Sequence, residues 1–239
     1  MVGLHNIIML YNFKICFPIY KLLYSVAFMM IFALLRPTAT PYEIMVVIET
    51  SICFLATVFI ADAYYTEFSG NRIDVFYLQP SKSKYKTILQ RFLMEVIYLE
   101  ILVITFFWLY VILQKNRGMY QDKLLEVYIN TIACCILSII FFSTLSFTIV
   151  NFLQNFWLGV GLTLMSWLLF TSKIKEHIPI YFNIFAYKIG VKIVPFYLSR
   201  VIYVLISIGL ISLNYFILLQ PPKRKVRGNK YDRYKKFNS

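Results

Sequence analysis

The chain has 239 residues, of which 60% are hydrophobic and 18% aromatic, with a mean hydropathy of +0.69. That composition lies far outside the range of water-soluble domains and makes the bilayer the first solvent to consider. A net charge of +13 would fit nucleic acid only if a soluble domain presented it; here the basic residues sit in blocks beside apolar runs, so no nucleic-acid partner is expected, and orientation by the positive-inside rule and attraction to anionic lipid account for them.

Read in order, the chain predicts an all-α integral membrane protein in one domain, residues 1–222, followed by a basic tail, 223–239. Residues 1–17 carry Ile7, Ile8, Tyr11 and Ile15 near helical spacing, which suits either an interfacial helix or a frayed extension of the first span. A cleavable leader is not expected, because a basic start is missing and the apolar run begins late. The first span is placed at about 19–35, with Lys21 snorkelling to the nearer interface, and Arg36-Pro37-Thr38-Ala39-Thr40-Pro41 ends it. The second, about 44–65, contains Glu49 and Asp62. A charged connection, 66–87, leads to the third span at about 88–113, which contains Glu95 and Glu100.

From Val127 to Ser172 the chain has no Asp, Glu, Lys, Arg or His. As one helix it would extend roughly 70 Å at about 1.5 Å per residue, more than twice the hydrocarbon thickness. It must turn, and Asn151-Phe152-Leu153-Gln154-Asn155 is the polar place to do so, giving spans at about 127–150 and 156–171. Gly159 and Gly161 allow close helix approach there. Residues 173–200, with Lys173, Lys175, Lys188, Lys192 and two prolines, read as a re-entrant or interfacial segment on the outer side. A sixth span follows at about 201–219, closed by Pro221-Pro222. Lys14, Lys21, the 66–87 connection and the tail then hold most of the 24 Lys and Arg residues, which puts both termini in the cytoplasm.

Little in the chain supports catalysis. There is no GxxxxGK[ST], HExxH or GxSxG, and two histidines leave no imidazole metal site. The four cysteines, Cys16, Cys53, Cys134 and Cys135, lie in apolar runs and read as small buried residues. Intramembrane carboxylates are the exceptions. Asp62 and Glu95 fall near the inner boundary, solvated or paired with a basic residue such as Arg91, whereas Glu49 and Glu100 stand as candidate pathway residues.

Six spans with both ends inside, no ATPase motif, and an acidic, Gly-containing stretch leading into a short apolar helix and then a Pro with Ser and basic residues together resemble the ABC-2 type permease family, the membrane subunits of ABC exporters. The residues that carry the likeness are Glu67, Gly70 and Asp74, then Val75-Phe76-Tyr77-Leu78, then Pro80-Ser81-Lys82. Gly70 is displaced by one position and Tyr77 and Gln79 are atypical.

The resemblance implies a homodimer, or a heterodimer with a related permease, in a bacterial cytoplasmic membrane, carrying separate ATP-binding cassette subunits. ATP and Mg would be held by those subunits, with no cofactor or metal on this chain and no reaction of its own. The 66–87 connection would be the coupling element: Ile73, Phe76 and Tyr77 at i, i+3 and i+4 fill an apolar cleft of the ATPase, Arg72, Asp74 and Lys82 fix the register, and Lys84 closes the segment. A solvated turn is the alternative for that stretch. By the same analogy the cargo is a peptide, a bacteriocin-like molecule or a small amphipathic compound. A membrane anchor or assembly subunit and a carboxylate-based intramembrane enzyme are the competing readings.

Overall fold

The computed structural model describes residues 12–38, 40–68, 81–115, 123–172, 177, 179, 182–185 and 193–219. Among them every regular element is helical. After a short helical segment at 12–16 come α1 (Ile19–Leu35), α2 (Pro41–Phe68), α3 (Ser81–Lys115), α4 (Leu124–Leu153), α5 (Phe156–Thr171) and α6 (Ile193–Leu219). Four of these, α2, α3, α4 and α6, are long and apolar enough to cross a membrane. Helices α1 and α5, at 17 and 16 residues, reach about 25 Å, slightly short of a typical hydrocarbon core of about 30 Å.

The helix ends follow local chemistry. Thr40 precedes Pro41, whose missing N–H is harmless in a first turn, and the Thr40 hydroxyl accepts from the Glu43 N–H at 3.4 Å. Between α4 and α5 the chain reverses at Gln154, in a left-handed conformation with φ 50°, and Asn155 caps α5 by accepting from the Leu158 N–H at 3.3 Å. Gly159 makes this hairpin close: a Cβ there would lie 2.8 Å from the Val150 Cα. Gly161 faces open space, so of the two glycines expected to let helices approach only Gly159 does.

Side-chain pairs fix the direction of each helix. Glu49 meets Ser138 and Thr57 meets Ser146, both 89 residues apart, so α2 and α4 run parallel. Ser138 meets Arg200, Phe141 meets Tyr203 and Asn151 meets Asn214, so α6 runs parallel to α4. In contrast, Lys21 meets Asp62 while Phe28 meets Phe54, which makes α1 antiparallel to α2. The pairs Phe59–Tyr98 and Tyr65–Phe156 with Phe54–Trp167 link α3 and α5 to α2, and the latter two fix α5 as antiparallel. Helix α2 is the centre: Ile44, Ile48, Ile52, Leu55, Ala56 and Phe59 are all at most 1% exposed, and α1, α3, α4 and α5 pack around it.

Unlike a water-soluble bundle, this one carries large apolar side chains on its outer face as well as in its core. Helix α1 buries Lys21, Ser25, Met29 and Ala33 while Ile19, Leu23, Val26, Ile31, Leu34 and Leu35 face outward. On α3 the outward stripe is Leu89, Leu93, Ile97, Ile101, Trp108 and Ile112, at close to helical repeat. Serine, threonine and asparagine share the interior with the apolar core, many with the hydroxyl donating to a carbonyl one turn back, as Ser51, Thr131 and Thr163 do. Such an arrangement is stable where the surroundings are apolar and the interior supplies the hydrogen bonds.

Several helix ends extend beyond the expected spans. Helix α3 begins at Ser81, seven residues before the expected 88, and α2 continues to Phe68, which shortens the 66–87 connection at both ends. Hydropathy marks where a helix enters lipid, and the charged turns outside remain helical. Helix α6 begins at Ile193 rather than 201, because Pro195 falls in its first turn, where no intrahelical N–H bond is lost; the end of the expected 173–200 segment is therefore helix. The turn expected at Asn151–Asn155 narrows to its last two residues, and Asn151 lies buried in α4, donating to Asn214 Oδ1 at 3.1 Å.

Candidate functional site: two buried ion clusters on the central helix

Thirteen positions separate Glu49 from Asp62 on α2, about 20 Å along the axis, and each carboxylate anchors a cluster that ties α2 to a different pair of helices.

Glu49 is fully buried, and Arg200 of α6 reaches it across the bundle with side-chain exposures of 3% and 0% for the pair. Arg200 Nη2 donates to Glu49 Oε2 at 3.1 Å while Nη1 donates to Oε1, the bidentate fork for which guanidinium and carboxylate are shaped. Ser138 of α4 lies between them: its hydroxyl donates to Glu49 Oε1 and accepts from Arg200 Nη1 at 2.6 Å. Three parallel helices, α2, α4 and α6, thus meet at one charged point. Desolvating an ion pair costs several kcal/mol per ion, which only good geometry with further hydrogen bonds offsets; the fork and the serine supply both.

Lys21 of α1 forms the second cluster. Its ammonium has three protons and three acceptors: Asp62 Oδ2 at 3.0 Å, Glu95 Oε1 at 3.1 Å and the Phe59 carbonyl at 3.1 Å. It also lies 5.1 Å from the centre of the Phe59 ring. Asp62, with its side chain 24% exposed, keeps contact with the surroundings and accepts from the Tyr20 hydroxyl at 3.2 Å. Glu95 is wholly buried, and its Oε2 has no hydrogen-bond partner among the described residues. Next to it Arg91 Nε donates to Asn12 Oδ1 at 3.0 Å, drawing the 12–16 segment onto α3.

These geometries change several expectations. Lys21 was expected to snorkel; it is 0% exposed, because three acceptors converge where its head lies. Asp62 and Glu95 do pair with a basic residue, and it is Lys21 from α1. Glu49, expected as a pathway residue, is held by Arg200 and Ser138. Glu100 is also a carboxylate within the bundle, with both oxygens buried and without a hydrogen-bond partner among the described residues. Arg200 and Ser138 escaped the sequence reading. The signal for Arg200 was an arginine entering an apolar helix while a buried Glu49 lacked a cation; for a serine among many helical serines there was none.

Of the expected coupling residues, Gly70, Arg72, Ile73, Asp74, Phe76, Tyr77, Leu78 and Pro80 lie outside the described residues. Glu67 falls in the last turn of α2, and Ser81 and Lys82 in the first turn of α3. Lys84 is 6% exposed on α3. All four cysteines are buried and free, as expected. No group of His, Cys, Asp and Glu that could hold a metal occurs among the described residues.

Comparison with protein-family models, with characterised proteins and with solved structures finds no match for this chain.

Proposed function

We propose that this chain is a six-span permease subunit of an ATP-driven exporter, with α1 and α5 completing the set of spans and both termini in the cytoplasm. The observation that carries the reading is the alternating course of the six helices, in which α3 runs parallel to α1 because Lys21 meets Glu95 and Ser25 meets Tyr98, together with the position of the connection between α2 and α3 at the end where the Lys21 cluster lies. In this reading the sequence from Glu67 to Lys84 docks in an ATP-binding cassette subunit, and closure of that subunit is passed to α2 and α3. The Lys21 cluster joins α1, α2 and α3, with Asp62 less than two turns from the end of α2 and Glu95 about four turns into α3, so the three helices receive the displacement as one unit. The partner supplies the phosphate loop, ATP and Mg. A second copy or a related permease completes the pathway, and the basic tail rests on anionic lipid.

The cargo class, a peptide or small amphipathic molecule, rests on family analogy. Against an intramembrane enzyme stands the engagement of Glu49 and Glu95 with cations, which leaves neither arranged as a free acid–base pair.

Co-expression with a candidate ATPase tests the reading. Asp74→Lys combined with deletion of residues 76–78 is expected to abolish co-purification, or to uncouple ATP turnover from export. Unchanged association, ATPase rate and export in that variant would sink the coupling role. Labelling of Ser81→Cys in intact cells checks the orientation, with access expected only after permeabilisation.

A further inference from the structure

Three glutamates lie within the bundle in graded states of satisfaction. Glu49 has both oxygens bonded to Arg200. Glu95 has one oxygen on Lys21 and one without a partner. Glu100 has neither: both its oxygens are buried, and among the described residues no donor reaches them and no ion pair includes it.

An ionised carboxylate in that position would have exchanged its water for hydrocarbon with nothing in return, and a buried group in that situation takes up a proton. The neighbouring charges are engaged elsewhere. On α3 itself Glu95 is tied to Lys21 and Arg91 to Asn12. On α2 and α6, Glu49 and Arg200 hold one another, and on α1 Lys21 has its three acceptors. Helix α4 offers the Cys135 thiol within electrostatic reach, with Cys134 beside it in the sequence; neither is a cation.

We propose that Glu100 is a proton-binding site inside the membrane-facing part of α3, occupied by a proton in the state described here. The proposal does not depend on the exporter reading. The side chain is partly exposed, flanked on the outward stripe by Ile97 and Ile101, at 52% and 55% exposure. A proton carrier dissolved in the bilayer therefore has a short path to it.

A membrane-soluble carbodiimide reads this state directly, because it reacts with the neutral acid. The carboxyl proton passes to one carbodiimide nitrogen as the carboxylate oxygen adds to the central carbon; the O-acylisourea then rearranges to a stable N-acylurea, with no leaving group and a mass gain equal to the reagent. The full-length protein in detergent or lipid vesicles would be treated with dicyclohexylcarbodiimide over a series of pH values, digested and analysed by mass spectrometry. The expected result is an adduct on Glu100 that forms readily at neutral pH, declines at least tenfold as the solution is made alkaline, and is absent from Glu100→Gln. Absence of the adduct, a yield indifferent to pH, or protection by sodium ions at fixed pH would overturn the proposal; the last would make the occupant a metal cation.

Two further measurements guard against limited reagent access. The infrared band of a protonated carboxyl should disappear in Glu100→Gln and persist in Glu49→Gln. Glutamine has the shape and neutrality of the protonated acid, so Glu100→Gln should match the wild type in helical content and melting temperature. A strong loss of stability would show that the carboxylate form is needed, and would also overturn the assignment.

Discussion

The Arg200 cluster and the Lys21 cluster lie on the same helix and solve the same problem with different chemistry. At the first, one guanidinium meets one carboxylate in a two-point fork, a serine from a third helix fills the remaining geometry, and both side chains are at most 3% exposed. At the second, one ammonium serves two carboxylates and a carbonyl, and one of the acids, Asp62, remains 24% exposed. Arginine suits the enclosed site because its planar fork is preorganised and weakly hydrated; lysine suits the three-way site because its protons radiate from a point. The contrast teaches that the first cluster is a closed structural joint of α2, α4 and α6. The second is an open joint of α1, α2 and α3, with one acid in contact with its surroundings.

The largest effect should come from breaking the closed joint. Arg200→Met is expected to cost about 3–5 kcal/mol, since Glu49 is left charged and buried with no cation. The double variant Arg200→Met with Glu49→Met should recover most of that loss. Reversible denaturation in mixed micelles measures both, and full additivity of the two single losses would show that the fork is not a coupled unit.

Lys21→Met should cost less, about 2–4 kcal/mol, because Asp62 can take water while Glu95 cannot. Its rescue by Glu95→Gln should exceed its rescue by Asp62→Asn. Equal rescue would erase the difference in enclosure on which the comparison rests.

Gly159→Ala tests the hairpin that closes α5 on α4, apart from either cluster. A methyl 2.8 Å from the Val150 Cα must push the helices apart, at about 1–3 kcal/mol, whereas Gly161→Ala, facing open space, should be neutral or slightly stabilising through helix propensity. Thermal melting of the pair in one detergent reads the contrast. The smallest effect is Asn155→Ala, about 1 kcal/mol for a lost helix cap, with neither ion pair disturbed.

Much of the architecture was legible from residue order. The segment 19–35 and the segment 156–171 coincide with α1 and α5, since Pro18, the Arg36–Pro37 break and Asn155 punctuate the chain locally. The cysteines read as buried for the same local reason, their apolar neighbours. Helix ends that reach beyond the apolar run, at Ser81 and Ile193, were not legible, because hydropathy reports the environment and a charged or proline-containing first turn can still be helix.

The site was legible only by halves. Glu49, Asp62, Glu95 and Glu100 stand out in any reading, because a carboxylate in an apolar run is costly. Which cation Glu49, Asp62 and Glu95 receive depends on contacts between residues 41, 74 and 151 positions apart, and no local pattern encodes them. Lys21 illustrates the point: beside a predicted interface its long stem permits either snorkelling outward or reaching inward, and three converging acceptors from α2 and α3 decide for the second.

By itself, then, the sequence determined an all-helical chain with helices long and apolar enough to cross a membrane, a charged connection after the second helix, and acids within the apolar helices, all properties of composition and local spacing. The tertiary structure alone decided the pairing. It set α2 at the centre, matched Arg200 to Glu49 through Ser138, gave Lys21 to Asp62 and Glu95, and left Glu100 without a cation among the described residues, because the free energy of a buried charge is fixed by what surrounds it in space rather than by its neighbours along the chain.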